Sequence, residues 1–267
     1  MVLALLASTS GWARAQSTEQ TPVTESFADA SPADPDLEWW PWLVSVPLAA
    51  MALTIDVTVP SDSPRWTPNG PIDRGFESWI RPTIDGRRRA AHASDFFLFA
   101  AAAAPVADAI SWHAKGTRHS RVTYRLLTAD ALAFSFQALV TVSLKHAVRR
   151  PRPYVEPCEA DPTHDPGCDS GSRYQSFTSG HTSASFTGAA LVCAHQRLRG
   201  WSVIGYVECA GALALASFAS TLRIVSERHY ASDVIGGAII GFISGYLLPL
   251  LLYPRALPPR RIAPRAW

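Results

Sequence analysis

The sequence predicts an all-α protein: a helical bundle of five to six mostly apolar helices set across a membrane, with an active site at one end. Three observations lead there. Apolar segments rich in Ala, Leu, Val and Phe recur near 39–55, 93–112, 126–144, 182–195, 201–222 and 234–253. Most of them approach the roughly 20 residues a helix needs to cross about 30 Å of hydrocarbon. Strand-like alternation is scarce and no internal repeat is evident, which leaves helices as the building element. Chemistry-bearing residues, finally, collect at the ends of the apolar segments.

Composition sets the outer limits. The 267 residues suffice for one domain with a real core, and a net charge of +2 offers no field for nucleic acid. An apolar content of 48% with a mean hydropathy of +0.06 also keeps a soluble, periplasmic form in play.

From the N-terminus, "MVLALLASTSGWARAQ" is a short apolar run ending in Ala13-Arg14-Ala15, the small-x-small pattern of a signal peptide over residues 1–15, although it lacks a positive start. Residues 16–38 carry six acidic residues and no Lys or Arg among prolines and serines, and read as a disordered linker. The helical domain is then 39–253, followed by a basic tail over 254–267. Its first segment contains Pro41 and Pro47 and is the weaker candidate for a span. A cleaved signal with five spans, or six spans without cleavage, both place the basic loops on one side. Those loops are 113–125, 195–200 and the tail; the Arg87-Arg88-Arg89 run breaks the rule. Asp95, Asp108, Asp130 and Glu208 lie within apolar segments and are costly in lipid unless turned inward.

Cys158 and Cys168 sit in a polar loop with nine residues between them, and a disulfide is the simplest reading if the loop faces an oxidising compartment. A metal site with His164 fits no zinc spacing. Cys193 and Cys209 lie in apolar runs and read as small hydrophobes.

Three clusters carry chemistry. "KHAVRRPRP" sets Lys145 seven residues before Arg152; "TSGH" places Ser179, Gly180 and His181 at the start of an apolar segment; "LRIVSERHYASD" contains Arg223, His229 and Asp233. Lys145, Arg152 and Arg223 offer charge-assisted donors suited to a phosphate. Ser179 and Gly180 open a helix whose free N–H groups attract an anion, with glycine allowing close approach. His229 and Asp233 are spaced i, i+4, so the carboxylate orients the ring and His229 becomes the nucleophile. His181 is then the general acid. No metal and no cofactor are expected. His92, His113, His119, His146, His164 and His195 lack such company and read as surface or packing residues.

In these motifs the chain resembles the type 2 phosphatidic acid phosphatase superfamily, which includes bacterial acid phosphatases and vanadium haloperoxidases. The family pattern is K-x6-RP, PSGH and SR-x5-H-x3-D; here Thr178 replaces its Pro and Leu222 its first Ser, and the likeness covers roughly 90–253. The resemblance implies a phosphohistidine at His229, acid catalysis by His181, and phosphate held by Lys145, Arg152, Ser179, Gly180 and Arg223. It also implies a phosphorylated lipid or small phosphoester as substrate. A bacterial inner-membrane site facing the periplasm follows, with a soluble periplasmic acid phosphatase as the alternative. A vanadium haloperoxidase or a non-catalytic lipid-phosphate binder is less in keeping with the chain length and the His-Asp pair.

Overall fold

The structure is a computed structural model that describes residues 39–67, 70–79, 82–114 and 120–252. The expected signal peptide, acidic linker and basic tail, and residues 115–119 of the 113–125 loop, lie outside these residues. Every regular element among them is helical. In chain order they are α1 (Trp40–Thr58), α2 (Pro71–Trp79), α3 (Ile84–His113), α4 (Ser120–Val148), α5 (Val155–Ala160), α6 (Gly180–Arg199), α7 (Val203–Val225) and α8 (Ala231–Phe242). A π-helical turn, Ile243–Leu247, and a last helix, α9 (Leu248–Leu252), continue α8.

Local sequence explains the helix ends. Thr83 and Ser202 cap α3 and α7, accepting hydrogen bonds from Gly86 N–H and Gly205 N–H at 3.1 and 3.0 Å. Gly200 ends α6 with φ 82°, a conformation that a side chain disfavours. The prolines of α1 do not interrupt it: Pro41 lies in the first turn, and the helix runs through Pro47 to Thr58.

Five helices are long and apolar enough to cross a membrane: Trp40–Thr58, Ile84–Trp112, Val122–Val148, Val203–Val225 and Ala231–Leu252. The apolar side chains they leave outside, such as Leu43, Leu53, Val203, Val207, Ile239 and Leu251, suit a lipid surface. Helix α6 is different. It is not among those five, because polar residues interleave its apolar ones, yet it is mostly buried, the central post against which α3, α4, α7 and α8 pack.

Small residues set the distance between α6 and α8. Gly237, Gly241 and Gly245 face Ser179, Ser183 and Thr187, so two i, i+4, i+8 stripes run along each other. An added methyl on any of these glycines would strike the α6 backbone. Close helix approach through such stripes is how membrane bundles pack without a hydrophobic driving force between helices.

The end of the bundle away from the motifs holds a charged knot that corrects two sequence expectations. His195 is not a lone packing residue: its Nδ1 lies 2.8 Å from Asp108 Oδ2 and its Nε2 2.9 Å from Asp130 Oδ1, with the ring fully buried. A ring that donates from both nitrogens to two carboxylates is an imidazolium. Arg199 adds a second cation on Asp108 at 2.6 and 2.7 Å, and the four charges cancel. Cys193 and Cys209 are not free hydrophobes either; they form a disulfide joining α6 to α7. Asp108 and Asp130, costly in an apolar segment unless turned inward, were the available signal, but their partners emerge only once the helices are folded.

Candidate active site

All three motifs meet at the opposite end. Lys145 lies in the last turn of α4, and a methyl built on Gly180 would come within 3.3 Å of its Nζ, so the ammonium rests against the opening turn of α6. Arg152 follows α4 in extended chain; its N–H donates to Arg173 O at 2.9 Å and its Nε to Ser172 O at 3.0 Å. Arg223 ends α7, almost fully buried, and its carbonyl accepts the N–H groups of Arg228 and His229 at 3.1 and 3.3 Å. That turn folds His229 back over the arginine.

Ser179 is the N-cap of α6. Its Oγ accepts from Thr182 N–H at 3.3 Å and Thr182 Oγ1 at 3.0 Å, and its own N–H donates to Asp233 O at 3.2 Å. The cap therefore ties the second motif to the third. Where the family pattern has Pro, Thr178 is buried, and its Oγ1 has no hydrogen-bond partner among the described residues. Leu222 lies within α7, and its carbonyl accepts from Ser226 N–H at 2.9 Å.

His229 is 2% exposed, and its Nδ1 lies 2.8 Å from the backbone carbonyl of Ser176. A carbonyl only accepts, so Nδ1 carries the hydrogen and Nε2 presents its lone pair. Burial, then the charges of Arg152, Arg223 and Lys145, push the ring's pKa well below its usual value. It is a neutral imidazole surrounded by cations, which is the form a nucleophile requires.

Asp233 is not the direct orienter that i, i+4 spacing suggested. Its Oδ2 is 3.9 Å from His229 Nδ1 but 2.5 Å from Ser176 Oγ and 2.9 Å from Tyr230 N–H. It orders the two residues that hold the ring. The helix begins only at Ala231, so His229 precedes α8 and does not share a helical face with Asp233.

His181, in the first turn of α6, pairs through Nε2 with Asp95 Oδ1 at 2.7 Å, and the same oxygen lies 3.4 Å from Arg223 Nη1. Asp95 comes from α3 and escaped the motif reading, although its presence in an apolar segment was the available signal. Arg150, Asp73 and Ser176 gave no such signal.

The loop side is tied down as well. Cys158 and Cys168 form the expected disulfide, which holds α5 to the 161–168 loop. His164 is another correction: its Nε2 is 3.1 Å from Glu227 Oε2, and its carbonyl accepts from Arg87 Nη2 at 2.6 Å. Arg87 also lies 3.4 Å from Glu227. Arg87, from the run that broke the basic-loop rule, thus ties the end that holds the motifs, bonding the turn that carries His229. Beside that turn is a cavity of about 470 Å³, whose walls include Asp73, Phe76, Pro153, Glu156, Ile224 and His229.

Residues 126–256 match the model of the PAP2 superfamily. Over 125 residues the chain is 31% identical to a lipid A 1-phosphatase from Porphyromonas gingivalis, an alignment that takes in 46% of this chain and 23% of that protein. The match thus spans under a quarter of the relative's length. No solved structure matches the chain.

Proposed function

From the match of the motif-bearing segment 126–256 to the PAP2 superfamily model, we propose that the protein is a membrane phosphatase of that family, which removes phosphate from a phosphorylated lipid through a phosphohistidine at His229. The observation that carries this reading is the tautomer of His229, whose Nδ1–H is held by Ser176 O while Nε2 is left as a lone pair among three cations. The named activity of the P. gingivalis relative favours a lipid substrate, as do the five apolar helices beside the site.

In the first step the Nε2 lone pair attacks phosphorus, the bond from phosphorus to the lipid oxygen breaks, and His181 gives that oxygen its proton. Burial and the Arg223 charge hold the pKa of His181 down to about 4, so it takes up that proton only as the substrate's phosphate offsets the cations, with Asp95 holding the imidazolium. In the second, His181 takes a proton from water, the resulting hydroxide attacks the phosphohistidine, and the P–N bond breaks to release inorganic phosphate. Lys145, Arg152, Arg223 and the N–H groups opening α6 hold the phosphoryl oxygens throughout. The catalytic end faces the periplasm across the bacterial inner membrane, in keeping with the Cys158–Cys168 disulfide at that end.

The test is phosphate release from a panel of phospholipid and soluble phosphoesters, with detergent-solubilised membranes and chelator present. His229→Ala should abolish release in a protein that still folds, and an acid-labile phosphoenzyme should form on wild type alone. Unchanged release by His229→Ala would end the mechanism, and activity recovered in a detergent-free soluble fraction would end the membrane assignment.

A further inference from the structure

We propose that Asp73 and Arg150 are positioning residues for the His229 site, a clamp through which helix α2 sets the placement of Asp233 and Ser176. The inference rests on the phosphohistidine reading above. It adds Asp73, which lies outside all three motifs and outside the matched segment, and Arg150, which stands at a position the first motif leaves open.

Arg150 is 1% exposed and sits at the centre of the clamp. Its Nη1 donates to Asp233 Oδ1 at 2.6 Å and Ser232 Oγ at 2.7 Å, and its Nη2 donates to Asp73 Oδ2 at 2.7 Å. The guanidinium carbon lies 4.1 Å from the Tyr230 ring centroid and 4.9 Å from that of Trp66, so two aromatic faces fix its plane. Its backbone takes part as well: Arg150 O accepts from Ser176 N–H at 3.0 Å. Ser176 is the residue whose carbonyl holds His229 Nδ1 and whose hydroxyl reaches Asp233. Arg150 therefore supports the nucleophile twice, through its main chain and through its side chain.

Asp73 completes the clamp from α2. Its Oδ1 accepts from Ser232 N–H and its Oδ2 from Ser232 Oγ, both at 2.9 Å. It thereby caps α8 from another element while Asp233 satisfies Tyr230 N–H from within. When His229 is phosphorylated its ring becomes cationic, and Asp233, 3.9 Å from Nδ1 and held by Arg150, is the carboxylate beside it. Burying one cation between two anions is a poor way to gain stability alone. The arrangement is accounted for by what it holds in place.

The experiment compares wild type, Asp73→Asn and Arg150→Lys, purified in detergent, by kcat, KM, thermal unfolding and pH profile. Asp73→Asn keeps the shape and removes the charge; Arg150→Lys keeps the charge and removes the fork. The expected result is a fall in kcat of about 10- to 100-fold with KM within about threefold, in protein that unfolds cooperatively. The acid limb of kcat should also move in Asp73→Asn, and Arg150→Lys should retain more activity than Arg150→Met. Full kcat per folded molecule, with only the unfolding temperature lowered, would overturn the clamp. The His229 ring provides an independent reading through its ¹⁵N shifts. If wild type releases no phosphate, the phosphatase reading fails by itself, and loss of the Nδ1–H tautomer in the variants still supports the clamp while an unchanged tautomer rejects it.

Discussion

Gly237→Ala tests whether the spacing of α6 and α8 sets the site. The new methyl would lie 2.7 Å from Ser179 O, 3.1 Å from Thr182 Cβ and 3.3 Å from Ser183 N. Two of these are backbone atoms, so no side chain can swing away to make room. Restoring an ordinary contact of about 3.4 Å to the carbonyl requires α8 to retreat by roughly 0.7 Å, and such overpacking costs about 1–3 kcal/mol. At 2–4 °C per kcal/mol, the unfolding temperature should fall by roughly 2–12 °C. Asp233 lies one turn before Gly237 and Ser179 caps the facing helix, so the displacement falls on the site itself. Misplacement of about 1 Å costs on the order of 100-fold, and a kcat lowered by about 10- to 100-fold is expected. Gly211→Ala is the control: its methyl meets nothing within 4 Å, and it should leave activity unchanged and stability equal or slightly higher. Gly237→Ala with wild-type kcat and unfolding temperature would refute the spacing argument.

Asp95→Asn should lower kcat by about 10- to 100-fold with little change in stability, because Asp95 sits between His181 and Arg223 at the mouth of the site; unaltered kinetics would remove it from the mechanism. His229 has a folded pKa far below its unfolded value of about 6.5, so the unfolded chain binds the extra proton, and the stability present above that pH is lost as pH falls below it. Melting curves between pH 6.5 and 5 should therefore fall more steeply for wild type than for His229→Gln, and identical slopes would contradict the neutral buried ring. His195→Ala should cost about 3–5 kcal/mol, since it leaves Asp108 and Asp130 facing each other with one cation fewer, while the folded fraction keeps its kcat. Replacing Cys158 and Cys168 by Ser opens a short loop, and a loss of about 2–4 kcal/mol is expected from thermal unfolding with and without reductant.

What was legible in the sequence was whatever has a local period or a fixed spacing. Apolar runs announced the helices, and the distances from Lys145 to Arg152 and from Arg223 to His229 marked residues that the fold gathers at one end. The stripe of Gly237, Gly241 and Gly245 repeats every four residues, as do Ser179, Ser183 and Thr187, but nothing in the sequence analysis singled out either row and nothing local pairs them. Partnerships that exist only after folding were not legible. Asp95 meets His181 across 86 positions, and Arg150 meets Asp73 across 77, with no pattern linking either pair beforehand. His229 illustrates the opposite error. Spacing alone paired it with Asp233, but the helix starts two residues later, and a main-chain carbonyl, invisible to any motif, took the ring nitrogen instead.

The Asp108–His195–Asp130 knot bears on how the chain is made. Synthesis runs from the N-terminus, so α3 and α4 reach the bilayer with both carboxylates before His195 and Arg199 have been translated. Until α6 emerges, those two hairpin partners hold acidic groups with no counter-ion, a condition hydrocarbon tolerates poorly. The central post is thus the keystone that α3 and α4 wait for, and a nascent protein halted before residue 195 should be a ready target for membrane quality-control proteases.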